Sequence, residues 1–303
     1  MDQVFYWLFN MSIVAMLTGI VVMLVRIIKK IPRRIVVILW MIPLLRFWFP
    51  FGAGSKFGLM TLLSRFMTKT VIVYEGKFAD FSMVNSVRAA NSYFPITYKV
   101  NLLSDVFKCG AIVWGVVAAA IIIFVIAVYF STVSELKDAE HLCGNVYCSN
   151  KVNSPAVYGI FHPRIVIPDH MKDAKGLELI VLHEKRHIRR CDNFWRILAF
   201  ITAAIHWFNP LVWLFLKTFL SDVELACDES VLSELPEEKR KEYALELLNV
   251  QTSKAVFAAA FGGAKIKTRI EHIISYKKMT VFSVVGFGVL VAAIAYILLT
   301  NAA

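Results

Sequence analysis

Long uncharged runs alternate along the chain with stretches where charge returns. Gln3 to Val25, Cys109 to Ser134 and Met279 to Ala303 carry no charged side chain. Each is at or above the roughly 20 apolar residues a helix needs to cross the hydrocarbon of a bilayer. Ile35 to Gly54 is a fourth run, interrupted by Pro43 and Arg46. The pattern predicts an α-helical polytopic membrane protein with four transmembrane helices. Residues 1–54 hold the first two and a basic turn, 109–134 the third, and 279–303 the fourth. Arg46 falls about 17 Å along the second helix, past the midplane, so snorkelling to the far interface or a helix–helix contact is expected of it.

The polar stretches set the orientation. Arg26, Lys29, Lys30, Arg33 and Arg34 crowd the first turn, and Lys277 and Lys278 precede the last span. Basic flanks stay on the cytoplasmic side. The N-terminus offers only Asp2 as a charged side chain, so both termini and the loop 55–108 are expected outside, with residues 135–278 in the cytoplasm. The first run is too long for a cleavable leader and has no basic segment before it. In the outer loop, Phe57 to Tyr74 is a mixed amphipathic stretch suited to the membrane surface or to capping the bundle, and Glu75-Gly76 follows as a turn.

Composition agrees with the membrane reading. The 303 residues are 58% hydrophobic and 18% charged, where soluble chains run nearer half and a quarter. The net charge of +11 fits cytoplasmic anchoring and anionic lipid rather than nucleic acid, for which no binding is expected. Five cysteines, an odd number in so long a chain, do not make a disulfide framework. Cys143 and Cys148 lack a second pair and read as reduced thiols, and Cys227 reads as a packing residue.

The inner segment, one domain in size, carries the chemistry. Ser154 to Pro168 reads as two short strands with a turn near His162-Pro163, and its prolines point to a sheet edge able to pair with an extended peptide. Gly176 to Arg196 is helical in pattern and contains His183-Glu184-x-x-His187. Residues four apart share a helix face, so the two imidazoles converge on one metal ion, with Glu184 beside them to take a proton from an activated water. Ser221 to Leu232 carries Glu224 and Asp228. Glu224 completes a two-histidine, one-glutamate set with one position open, the catalytic form of a zinc site. Asp228 is placed to accept the free N–H of a ligand histidine. Asp192 has the same option, or an ion pair with a nearby arginine.

One conflict constrains the topology. Ile197 to Leu220 has only Lys217 charged, and as a full span it would part His187 from Glu224 by about 30 Å of hydrocarbon. A single ion cannot bridge that distance, so residues 197–220 must re-enter on the side they left, breaking at Asn209-Pro210. His206 within this segment is expected to be a polar contact, and His141, His162, His170 and His272 lack partners at ligand spacing.

Four spans, a PxxYGxxxPxIxxP segment, HExxH, a hydrophobic stretch with Asn-Pro, ExxCDE and the basic IKTRIEHIISYKK together resemble the BlaR/MecR-type membrane metallopeptidases. The closest match runs from about Ser154 to Lys278. The resemblance implies a gluzincin-like α+β domain at the cytoplasmic face holding Zn2+, with His183, His187 and Glu224 as ligands and Glu184 as base. It implies a protein substrate, either the chain itself or a transcriptional repressor, in an antibiotic or stress response. The best-known members carry an outer penicillin-binding sensor after the last span. Here the sequence stops at Ala303, so the signal is expected to enter through the outer loop, the spans or a separate sensor protein; a second copy of the chain is another candidate partner.

Rival readings are a membrane quality-control peptidase sharing HExxH and a downstream glutamate, and a non-catalytic receptor or scaffold with a structural metal. Against a motif buried within a span stand Lys185, Arg186, Arg189 and Arg190, which put this helix in water or at the interface. Against the scaffold stands Glu184, since a structural site has no use for a base.

Overall fold

The computed structural model describes residues 2–28, 30–49, 52–59, 61–62, 101–174, 176–250 and 264–302. Most of the amphipathic stretch Phe57 to Tyr74, and the Glu75-Gly76 turn, lie outside the described residues. Three described helices are long and apolar enough to cross a bilayer: α1 (Asp2–Ile27), α3 (Asn101–Glu135) and α9 (Val281–Leu299). Their apolar windows are Trp7–Ile27, Lys108–Ser131 and Val281–Leu299.

The run expected to make the second span forms a shorter helix. α2 (Arg33–Trp48) has 16 residues, about 24 Å of rise. It stops because Phe49 is extended, the conformation a residue before proline prefers. Arg46 does not snorkel. It is 2% exposed and donates to the carbonyls of Leu298 (3.0 Å) and Thr300 (2.9 Å) and to Asn301 Oδ1 (2.8 Å). The two carbonyls stand at the C-terminal end of α9, where carbonyls lack helical partners and a cation is favoured. Beside them β1 (Gly54–Ser55) pairs parallel with β6 (Asn301–Ala302).

The middle of the chain builds a four-stranded sheet from β2 (Glu140–Cys143), β3 (Val146–Ser149), β4 (Ala156–Tyr158) and β5 (Arg164–Pro168), in the order β2-β3-β5-β4. β3 and β5 run parallel, and β4 forms one edge. The β-branched run of β5 sits in the interior, as parallel strands require, with Ile165 and Ile167 packed on Leu177, Val181 and Ile188 of α4 (Leu177–Arg189). The β4–β5 turn needs glycine at 159: its φ is +89°, and a Cβ there would stand 2.9 Å from the His162 carbonyl oxygen.

After α4 the chain forms a helical hairpin, α5 (Asp192–Ile205) and α6 (Pro210–Leu232). It reverses at residues 206–209, where the Asn209 side chain accepts the Leu211 N–H (3.0 Å) and Pro210 takes the first helical position, whose N–H would go unused. The hairpin packs into the bundle core: Phe215, Phe219 and Val223 are buried with Val22, Leu39 and Trp40 of α1 and α2. α1 and α6 approach so closely that a Cβ on Gly19 would lie 2.3 Å from the Phe215 ring. α7 (Glu237–Val250) and α8 (Ile266–Ile274) complete the domain against α4 and α6.

A buried polar seam fixes α6 to the turn between α1 and α2. Asp222, fully buried, accepts from Arg26 Nε (2.8 Å), Trp40 Nε1 (2.9 Å) and Arg33 Nη1 (3.4 Å). Glu229 accepts the backbone N–H groups of Arg33 (2.8 Å) and Arg34 (3.0 Å). α2 begins after Pro32, which has no side chain to cap it, so Glu229 satisfies its first donors from another helix. Burial alone would raise the Glu229 carboxyl; His272 and these two amides bring it below the ordinary value.

Candidate metal centre

α4 presents His183 and His187 one turn apart, both 4% exposed, with their rings 4.7 Å between centroids. α6 comes alongside and brings Glu224 to them: its two carboxylate oxygens lie 3.8 Å from His183 Nε2 and 3.8 Å from His187 Nε2. Glu184 sits on α4 between the histidines and is 8% exposed. The hairpin thus unites residues more than 30 positions apart on one side of the bundle.

Each imidazole is held from behind. His187 Nδ1 is 2.6 Å from Asp192 Oδ2, so its N–H goes to a carboxylate. Asp192 reaches back because Cys191, between α4 and α5, adopts a left-handed conformation (φ 54°) that turns the chain sharply. Arg190 also pairs with Asp192 at 3.4 Å, a weaker contact than the one to His187. His183 Nδ1 is 2.8 Å from Tyr243 Oη, which donates its own proton to Asp228 at 2.6 Å. Tyr243 therefore accepts from His183, and Asp228 acts through it, its own oxygen standing 3.4 Å from the ring. Burial, then Asp228, hold the Tyr243 phenol well above its ordinary value, so it keeps the proton it donates.

With both Nδ1 atoms protonated, both Nε2 atoms carry lone pairs, and these face each other across 3.2 Å. The Arg269 guanidinium donates to the His183 lone pair from one side (3.3 Å), and a cation between the two nitrogens would satisfy both. Nitrogens bound to a tetrahedral zinc at about 2.0–2.1 Å stand about 3.3 Å apart, so the pair fits the ion. Charge around the site tells the same story. Burial is the largest influence and disfavours a charged imidazole, but Cys227 and Glu224, with Asp192 behind His187, together outweigh it; His183 rises well above its ordinary value and His187 to about 9.

Besides Tyr243, three residues that sequence reading did not connect to the centre are part of it. Arg269, on α8, grips Asp228 with Nε (2.8 Å) and Nη2 (2.7 Å), and lies 3.6 Å from Glu224 and 3.3 Å from His183 Nε2. Arg196, on α5, donates to Glu224. Against the penalty of burial, Arg196 and then the histidines hold the Glu224 carboxyl well below its usual range. Cys227 is fully buried, and its sulfur and the ring nitrogens of His183 and His187 lie within 4.8 Å of one another. Burial works to raise its thiol, but the two histidines bring it to about 7. A signal for Arg269 exists in the basic segment before the last span; for Tyr243, 60 residues from its partner, the sequence offers none.

The remaining histidines stand apart from this cluster. His206 lies 3.3 Å from the Phe47 carbonyl, and His272 pairs with Glu229 at 3.2 Å. Asn193, next to Asp192, donates to the carbonyls of Val157 (2.9 Å) and Gly159 (3.3 Å), tying the end of edge strand β4 to the helix that supports His187.

Regulatory protein BlaR1 of Bacillus licheniformis is 27% identical over 138 residues, 45% of this chain and 22% of that protein. The methicillin resistance mecR1 protein of Staphylococcus aureus is 29% identical over 143 residues, 43% of this chain and 24% of the relative, and that of Staphylococcus epidermidis matches equally. The matched part is thus under a quarter of the length of these relatives. The family model described as BlaR1 peptidase M56 matches residues 6–273, nearly the whole chain, and the protein belongs to that family of membrane metallopeptidases.

Proposed function

We propose that the protein is a membrane-embedded zinc endopeptidase that cleaves a protein substrate at the cytoplasmic face as part of a signalling response. The observation that carries this reading is the pair of buried Nε2 atoms, 3.2 Å apart, each imidazole held by a proton acceptor behind it, with the Glu224 carboxylate 3.8 Å from both and Glu184 next to His183 on the same helix. His183, His187 and Glu224 would hold the ion. Zinc, when bound, supplies Lewis acidity toward a peptide carbonyl and makes water a nucleophile near neutral pH.

The chain's own groups do the rest. Glu184, adjacent in sequence to one ligand, takes the proton from the attacking water and returns it to the departing amine. Asp192 and the Tyr243–Asp228 pair keep both imidazoles in the one tautomer that leaves Nε2 free. Arg196 and Arg269 fix the Glu224 carboxylate. Edge strand β4 offers main-chain groups to an extended peptide, and Asn193 keeps that strand in register with α5.

For topology, the proposal places α1, α2, α3 and α9 as four crossings, with the basic turn and residues 135–278 inside and both termini outside. α2 crosses despite its length because α1, α6 and α9 surround it, so it need not match the bilayer by itself. The domain is read as gluzincin-like. Its substrate is the chain itself or a transcriptional repressor, and a separate sensor protein or a second copy supplies the signal, in keeping with the regulatory and resistance roles in the relatives' names.

The test is Glu184→Gln in the purified full chain, assayed for metal content and for cleavage of itself and of a co-expressed repressor-type substrate. Metal retained with cleavage lost is the expected result. Full-rate cleavage by the metal-loaded variant would remove Glu184 as base, and absence of cleavage by the native chain would leave only a metal-bearing scaffold.

A further inference from the structure

The strand alternation that turns Ile165 and Ile167 toward α4 turns Arg164 and Val166 to the opposite face of the sheet. Register adds Tyr158, paired with Arg164, and Tyr147, paired with Val166, to that face. The metal-site helix covers one side of the sheet. On the other side, Tyr129 and Val133 of α3, with Leu136 just beyond it, enclose a cavity of about 380 Å3 against the two strand tyrosines. The apolar window of α3 closes at Ser131. Val133 and Leu136 lie about 3 and 7.5 Å past it at helical rise. The polar layer of a bilayer is about 5–7 Å thick on each side, so the cavity opens at headgroup depth. Phe161, in the β4–β5 turn, also lines it and is 89% exposed; Phe130, beside Tyr129, is 64% exposed. Aromatic rings gather at this depth of a membrane.

Arg164, Lys137 and His162 line the cavity, and no carboxylate does among the described residues. Asp138 and Glu140, close along the chain, are engaged by Lys151 (3.1 Å) and Lys172 (2.8 Å). Arg164 lies over the Tyr147 ring, 5.0 Å from its centroid, and keeps its donors for a further partner. We propose that this cavity binds the headgroup of an anionic phospholipid, with Arg164 and Lys137 on the phosphate and the acyl chains running along α3 past Tyr129 and Phe130. A guanidinium fork matches phosphate oxygens, and the tyrosine hydroxyls can bond a hydroxylated headgroup. The ammonium of a zwitterionic lipid would find no carboxylate here, and Arg164 already covers the Tyr147 ring. A soluble phosphate would leave Phe130 and Phe161 in water, where a lipid covers them. The site stands apart from the metallopeptidase reading and needs only that α3 crosses the bilayer. Its occupant would touch Tyr158 and Gly159, at the end of the edge strand that Asn193 ties to α5, and so brace that strand against a membrane-spanning helix.

Native mass spectrometry of the purified full chain, released from detergent with equal phosphatidylglycerol and phosphatidylcholine, reads the preference. Phosphatidylglycerol is expected to bind the more tightly. Arg164→Gln and Lys137→Gln should each weaken it about fivefold, and about 25-fold together, while Lys267→Gln, on exposed α8, leaves it unchanged. A phosphatidylglycerol carrying a photoreactive headgroup should label residues 158–164. Should Arg164→Gln fail to fold, Lys137→Gln alone must still show its loss. Undiminished binding by the double variant, or labelling confined to the basic turn Arg26–Arg34, overturns the site. Equal binding of phosphatidylcholine overturns the anionic assignment, and glycerol phosphate that competes as tightly as the lipid overturns the lipid one. A chain that holds the lipid in this way but binds no zinc upholds the site and overturns only the metallopeptidase reading.

Discussion

Replacing Tyr243 by phenylalanine removes one oxygen and tests how the first histidine is held. That hydroxyl accepts from His183 Nδ1 at 2.8 Å and donates to Asp228 at 2.6 Å. Asp228 keeps its two bonds from Arg269, at 2.7 and 2.8 Å, so the carboxylate stays paired and the fold should survive. What is lost is the acceptor that fixes the His183 tautomer. Removing such a partner of a metal-binding histidine lowers metal affinity about 10–100-fold. Here Asp228 Oδ1 already stands 3.4 Å from Nδ1 and needs to move less than about 1 Å to replace the hydroxyl. The loss should therefore fall near the lower end, about tenfold, or about 1.4 kcal/mol. Asp192→Asn, which takes away the charged acceptor 2.6 Å from His187, should cost more. Competition with a fluorescent zinc chelator in detergent measures both, and thermal unfolding of the metal-free proteins controls for the fold. If Tyr243→Phe binds zinc as tightly as the native chain, or loses more than Asp192→Asn, the proposed chain of proton acceptors is wrong.

Other consequences are open to equally direct measurement. In the metal-free site both ligand histidines are raised, His187 to about 9 and His183 well above its ordinary value, so an entering ion must displace a proton from each; zinc affinity should rise by more than about tenfold per pH unit, toward about a hundredfold, between about pH 6 and 8, and a flat profile would contradict the assignment. Asp222→Ala leaves Arg26, Arg33 and the Trp40 N–H without their buried acceptor, and because both arginines are partly exposed the cost should be about 2–3 kcal/mol, read as a lower Tm in detergent. Gly19→Leu drives a side chain into the Phe215 ring, where even a Cβ would sit at 2.3 Å, and should destabilise by at least about 1–3 kcal/mol; unchanged protease resistance would show that α1 and α6 are not so closely packed.

What the sequence disclosed and what it hid follow a physical division. HExxH is legible because a helix of known pitch fixes the relation of residues four apart. Asn209-Pro210 is legible because its chemistry is local: an amide side chain caps and a proline cannot continue a helix. Arg46 shows the limit. Its depth along the helix was readable, but the acceptors at the end of α9 are more than 250 residues away and no local rule names them. Tyr243 and Arg269 are hidden for the same reason, since each acts through a contact that exists only when α7 and α8 close on α6. Cys227 falls one residue before Asp228 and so reads, from sequence alone, as a packing residue. Yet a helix face wide enough to serve two histidines spans about 100° and admits positions 224, 227 and 228 together.

That width matters for how the centre is governed. α6 presents Glu224, Cys227 and Asp228 toward the histidines. In the same stretch it presents Asp222 and Glu229, seven residues apart and so on one face, toward the turn between α1 and α2. Asp222, Cys227, Asp228 and Glu229 are buried, and the four carboxylates on these two faces are each paired with a cation or hydrogen-bond donor, so neither face can slide without parting a charged group from its partners. A rotation of α6 that eased Glu224 away from Arg196 would have to strain the bonds of Asp222 and Glu229 as well. At its other end α2 is held to residues 298–301 by Arg46. Displacement at that end therefore reaches the metal centre through two rigid helices joined by buried ion pairs and amide bonds.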